Sequence, residues 1–253
     1  MPELSLAILL LLLVAAFAAG WLDAVGGGGG LIQLPILLLV LPVSATATAL
    51  GTNKLASSFG TGAAAITYAR KFPPNYQVLG IAMAAAFVGS AIGARFANLV
   101  SPTLFQPIIF ALLLLVWFLN WFNLKPSLAG LSDKGHFGFP IFALVIGFYD
   151  GLIGPGTGAF LLTGLVFWQG MSFLEASANA KFINFATNVA AIIVFALAGQ
   201  IYWALGGLMA IFNIVGGQLG ARFAIARGGD FVRKVLLLVV ALLLVRLGLQ
   251  IWG

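Results

Sequence analysis

Two lysines and two aspartates stand inside otherwise apolar stretches of this chain, and a single spacing relates them. Asp23 and Asp150 lie 127 residues apart, as do Lys54 and Lys181. An ammonium within an apolar segment can hold an anion, and a carboxylate there can carry a proton or serve as the ammonium's counter-ion. The same offset links Gly89 with Gly216, Gly93 with Gly220 and Arg95 with Arg222. The chain therefore reads as one unit written twice with its charges kept, the pattern expected of a secondary transporter.

Around each lysine runs a polar stripe. Lys54, Ser57 and Thr61 fall at i, i+3 and i+7, one face of a helix, and their counterparts are Lys181, Asn184 and Asn188, with Ser177 a turn earlier. Thr52, Asn53 and Asn179 add further hydrogen-bonding groups beside the lysines. Lys54 lies roughly 15 Å into its segment, near a bilayer midplane, where an ammonium costs at least ~2.5 kcal/mol without a partner or water. The nearest carboxylate in sequence would pair Lys54 with Asp23 and Lys181 with Asp150. The aspartates stand equally as proton-coupling candidates and as structural counter-ions. Arg95 and Arg222 close Gly-x-x-x-Gly-Ala-Arg-Phe runs, which indicates close helix packing followed by an anchor at the segment end.

Three residues after Asp23 begin five glycines, Gly26 to Gly30, answered by Gly154-Pro155-Gly156-Thr157-Gly158. Such runs break a helix, and irregular backbone survives in a membrane only where protein buries it or a cavity meets it. Each break leaves the N-terminus of the next helix facing it, so Gly28, Gly29, Gly156 and Thr157 are candidates for contacting an anion through backbone N–H groups. Tight hairpin packing is the competing explanation.

The elements that must position these groups are membrane helices. Hydrophobic residues make up 62% of the 253, charged residues 7%, and the mean hydropathy is +1.14. That composition specifies an all-α polytopic membrane protein. Ten apolar segments can be placed, at 5–22, 30–41, 45–69, 76–97, 104–123, 138–150, 157–169, 173–198, 201–224 and 232–251. Pro42, Pro73-Pro74, Ser101-Pro102 and Gly228-Gly229 punctuate them. Ser172 and Glu175 form a capping box. The first segment lacks the basic flank of a signal peptide and is read as a true helix.

The first two segments total about 54 Å of helix against a ~30 Å bilayer core, so they enter and return as a full or re-entrant hairpin. Each repeat then makes an odd number of crossings, and tandem odd repeats are inverted. Arg70 and Lys71 in one half, and Arg227, Arg233 and Lys234 in the other, mark the cytoplasmic loops and would put both termini outside. The expected organisation is repeat 1 at residues 1–124, a loop at 125–137 holding His136, and repeat 2 at 138–253, with eight to ten segments in all.

Several functions are excluded or disfavoured. Cysteine is absent, which removes disulfides and thiol chemistry, and one histidine makes a metal centre unexpected. No cofactor is expected, no phosphate-binding loop for ATP occurs, and the net charge of +6 sits at segment ends and not in a nucleic-acid-binding patch. An intramembrane hydrolase using Ser57 with Lys54, or Ser177 with Lys181, is the remaining enzymatic alternative. A cation or proton pathway through the aspartates is the alternative within transport.

Together these residues resemble the sulfite exporter TauE/SafE family of membrane permeases. The resemblance rests on Ala19-Gly20-Trp21-Leu22-Asp23-Ala24-Val25 and the glycines after it, on Gln33-Leu34-Pro35, and on Ala49-Leu50-Gly51-Thr52-Asn53-Lys54. In the second half it rests on Gly147-Phe148-Tyr149-Asp150-Gly151 and Gly154 to Gly158. It implies a bacterial inner-membrane permease for small sulfur-containing anions such as sulfite or organosulfonates, often working outward. The expected partners are a small anion and the bilayer, with the paired aspartates as candidates for coupling to a proton and one repeat rocking against the other. The halves are not equivalent, since Asn53 is answered by Ala180 and Gln33 by Phe160.

Overall fold

A computed structural model describes residues 5–42, 46–97, 106–122 and 135–252, and every regular element among them is an α-helix. In chain order these are α1 (Leu6–Gly26), α2 (Gly30–Val40), α3 (Thr46–Ala69), α4 (Tyr76–Phe96) and α5 (Gln106–Trp121). Then follow α6 (Gly135–Leu152), α7 (Thr157–Gln169), α8 (Phe173–Leu197), α9 (Trp203–Arg227) and α10 (Gly229–Trp252). Five of them (α1, α4, α8, α9 and α10) are long and apolar enough to cross a membrane. Helix α3 is as long, at 24 residues, but carries the polar stripe of Lys54.

Local signals account for the helix ends. Ser5 caps α1 at the Ile8 N–H, Asn75 caps α4, and Ser172 with Glu175 forms the expected capping box on α8. The break expected at Gly228-Gly229 is confined to Gly228, whose φ of 84° terminates α9 while Gly229 already begins α10. The loop expected at 125–137 differs at its end. Helix α6 begins at Gly135 and so includes His136, because Pro140, in its second turn, removes one hydrogen bond without stopping the helix. The rest of that loop, and Ser101-Pro102, lie outside the described residues.

The glycine runs are hairpin turns. Helix α2 folds back along α1: a Cβ on Gly29 would come 2.6 Å from the Ala19 carbonyl oxygen, and Leu37 and Leu41 share a core with Leu12, Leu13 and Ala16. Helix α7 returns along α6 in the same way, with the Trp168 ring tilted against Phe142, their centroids 5.8 Å apart, and facing Gly138. At 11 and 13 residues, α2 and α7 are only ~16 and ~20 Å long, well short of the ~30 Å hydrocarbon core.

Helices exchange partners between the two halves of the sequence. Helix α1 lies against α9, α4 against α6, and α3 and α8 pack on each other at the centre. Glycine makes the close approaches possible: a Cβ on Gly89 or Gly93 would strike the backbone of Leu144 or Phe148, and one on Gly216 or Gly220 that of Phe17 or Trp21. These two contacts are the same contact at the 127-residue offset. The packing role expected of both Gly-x-x-x-Gly runs is thus observed, and Arg95 and Arg222 are exposed beyond it. Helix α10 flanks α5, where Arg233 donates to the carbonyls of Asn120 and Trp121 at the α5 C-terminus.

Candidate functional site

The two hairpin tips meet. A Cβ on Gly27 would overlap the backbone of Gly158, and Gly30 faces Pro155. Gly27, Gly154 and Gly156 have φ of 76°, 90° and 89°, in the left-handed region that glycine enters without strain, so these turns need glycine for conformation as well as for space. Val235 and Val239 of α10 pack behind the first turn. Between the tips and the crossing helices α3 and α8 lies a cavity of about 40 Å³, room for roughly three waters.

Helix α3 contributes Asn53, Lys54, Ser57 and Thr61 to its wall, and α8 contributes Asn184 and Asn188. Asp23 enters from the end of α1, Asp150 from α6 and Asn213 from α9. Gly29 and Gly30 open α2, and Thr157 and Gly158 open α7, so both helix N-termini border the cavity. Asn53 Oδ1 is buried without a hydrogen-bond partner among the described residues, leaving an unsatisfied acceptor.

The ion pairs cross between the halves. Lys54 Nζ lies 2.6 Å from Asp150 Oδ2, with side chains 5% and 3% exposed, and Lys181 Nζ lies 3.0 Å from Asp23 Oδ2, with side chains 3% and 16% exposed. This corrects the within-half pairing expected from proximity in sequence. The reason is the partner exchange: α3 and α8 cross at the centre, which brings each lysine to the hairpin of the other half.

The two pairs differ in their surroundings. Lys181 also donates to the backbone carbonyl of Asp23, the same oxygen that receives the Gly27 N–H at the close of α1. Asp23 Oδ2 accepts from Thr61 Oγ1 as well, at 3.2 Å. Lys181 therefore ties α8 to the C-terminal end of α1, a favourable place for a cation. Lys54, by contrast, borders the cavity, and a Cβ on Gly154 would lie 3.3 Å from its Nζ.

Of the residues singled out in the sequence, Asp23, Gly29, Asn53, Lys54, Ser57, Asp150, Gly156, Thr157 and Asn184 come together at the cavity. Lys181, Gly28, Thr52 and Asn179 stand outside its lining. Gly28 faces Val239. Thr52 Oγ1 donates to the Thr48 carbonyl at 2.6 Å and accepts the Tyr202 N–H, while Asn179 donates to the Glu175 carbonyl at 2.8 Å. Ser177 is likewise turned to a backbone carbonyl, that of Phe173.

Asn213 is the residue that sequence reasoning missed. Its amide donates to the Ala16 carbonyl at 2.9 Å and to Gln33 Oε1 at 2.8 Å, and Gln33 in turn donates to the Asn53 carbonyl at 3.4 Å. Its counterpart at the 127-residue offset is Ala86, so a search for paired polar residues passes over it. Gln33, Asn53 and Asn213 together make one half of the centre polar where the other half carries Phe160, Ala180 and Ala86.

Comparison with known proteins assigns the family. The family profile "Sulfite exporter TauE/SafE" matches residues 12–247. A "Probable membrane transporter protein ORF9" of Sinorhizobium sp is 38% identical over 98% of this chain and 95% of its own length. A "Probable membrane transporter protein" of Haemophilus influenzae is 32% identical over 93% of this chain and 92% of its own, and "Probable membrane transporter protein YfcA" of Escherichia coli K12 is 31% identical over 93% and 88%. No solved structure gives a significant match. With ten helices among the described residues, a charged cavity between them, and a profile match over nearly its whole length, the chain belongs to the sulfite exporter TauE/SafE family of membrane transporters.

Proposed function

We propose that this protein is a proton-coupled secondary transporter carrying small sulfur-containing anions, such as sulfite or organosulfonates, outward across a bacterial inner membrane. The observation that carries the reading is the cavity in which the Lys54–Asp150 pair meets the ends of two glycine hairpins. An arriving anion competes with the Asp150 carboxylate for the Lys54 ammonium. A proton taken up by Asp150 frees that lysine and keeps the buried charge balanced, so anion and proton enter the site together and leave together, outward where the anion gradient exceeds the opposing proton gradient. In this reading backbone N–H groups at the starts of α2 and α7, with the Ser57 hydroxyl and the Asn184 amide, donate to the oxyanion, while the Thr157 hydroxyl holds the Gly154 carbonyl at 2.7 Å.

Residues 1–124 and 138–253 act in this reading as inverted repeats, and alternating access comes from movement of the hairpins against the central α3–α8 crossing. The test is flux in proteoliposomes. Sulfite or methanesulfonate should move faster than in empty vesicles, respond to an imposed pH gradient, and lose that advantage in Lys54→Ala.

One observation favours a second reading. Two carboxylates but a single lysine border the cavity, which suits a cation or proton path. Under that reading flux follows replacement of the cation, ignores the anion, and ends with Asp23→Asn and Asp150→Asn.

A further inference from the structure

We infer that the site selects singly charged anions, with Lys54 as the one exchangeable cation and Lys181 as a positioning residue. The inference rests on the anion-transport reading above and deepens it by naming the charge class of the substrate.

The four paired charges, two lysines and two aspartates, balance to zero. A monoanion that takes Lys54 from Asp150 needs one proton on that aspartate to restore the balance. A dianion needs a second compensation, either another ammonium or a proton on Asp23, because an uncompensated charge in a buried site is expensive. The nearest candidate ammonium is Lys181, and it is already committed. Its ammonium holds both the carboxylate and the backbone carbonyl of Asp23, and that carboxylate is further fixed by Thr61. Releasing Lys181 would give up its two hydrogen bonds to Asp23 and the tie between α8 and the C-terminal end of α1. Lys54, with Asp150 as its salt-bridge partner and the cavity at its side, can change partners without such a loss.

The rest of the wall agrees with this assignment. Asn53, Ser57, Asn184, Asn188 and Asn213 offer neutral dipoles, which orient a polar group without supplying net charge. Asn53 Oδ1, buried and unsatisfied, is an acceptor that a second anionic oxygen would not relieve. The small cavity volume points the same way, toward a compact headgroup.

The experiment measures apparent Kd, by ligand-dependent thermal stabilisation of purified protein, for methanesulfonate against sulfate and sulfoacetate. The wild type should bind the monoanion at least tenfold more tightly than either dianion. In the doubly neutral variant Lys54→Met with Asp150→Asn, methanesulfonate affinity should fall at least tenfold. The variant Lys181→Met should melt at a lower temperature and keep the monoanion-to-dianion ratio. Equal or tighter binding of sulfate by wild type overturns the inference and leaves the transport reading intact. So does a ratio that collapses only in the Lys181 variant. If either variant fails to fold, the wild-type ratio decides. If wild type binds none of the anions, the transport reading itself fails and this inference with it.

Discussion

The crossed ion pairs make a prediction that sequence proximity would reverse. Lys54 and Asp150 touch at 2.6 Å with 5% and 3% of their side chains exposed. Removing either partner leaves the other charged and buried, which costs about 3–5 kcal/mol. Removing both as Lys54→Met and Asp150→Asn removes that penalty, so the double variant should recover most of the loss and give a coupling energy of about 3 kcal/mol. The pair Lys54→Met and Asp23→Asn makes no such direct contact and should couple by less than about 1 kcal/mol. For a chain of this size, 3 kcal/mol corresponds to roughly 6–12 °C in Tm. The assay is thermal unfolding in detergent of wild type, the three single variants and the two doubles. A Lys54–Asp23 coupling equal to or above the Lys54–Asp150 coupling would refute the crossed arrangement.

Other sites give sharper local tests. Gly93→Leu should abolish the monodisperse peak on size-exclusion chromatography, because its Cβ would overlap the Phe148 carbonyl at the α4–α6 contact. Gly80→Ala, with open space around it, should be neutral or stabilising by up to about 1 kcal/mol on thermal unfolding. Asn213→Leu should cost about 1–3 kcal/mol by leaving Gln33 Oε1 buried without its donor, and a Gln33→Leu, Asn213→Leu double variant should cost less than the sum of the singles. Ser172→Ala should lower stability by about 1 kcal/mol through loss of the α8 capping box, again read by melting temperature.

Much of this architecture is legible in the residues. Helix bounds followed hydropathy and punctuation closely, as at α3, expected over 45–69 and found at Thr46–Ala69. The hairpin turns were legible because no other residue type reads as an uninterrupted break, and Lys54 because a charge ten residues into an apolar run has few explanations. Partner choice was not legible. A spacing rule says that Asp23 and Asp150 are equivalent, but which lysine each meets depends on how α3 and α8 cross. The shared offset also hid Asn213, since a polar residue opposite Ala86 leaves no repeat signal. Lys181 illustrates the reverse error. Symmetry made it a twin of Lys54, whereas a backbone carbonyl at the end of α1 gives it a different task.

The exchange of helices between halves also bears on how the protein is made. The backbone of α1 at Phe17 and Trp21 is shaped for the bare surface of Gly216 and Gly220 on α9. During synthesis α1 enters the bilayer long before that surface exists, and its close-packed face must be held by lipid, by other helices or by the insertion machinery until α9 arrives. Helices α4 and α6 meet after a far shorter wait. Assembly is thus expected to run from the middle of the chain outward, with α1 among the last helices to find its final seat.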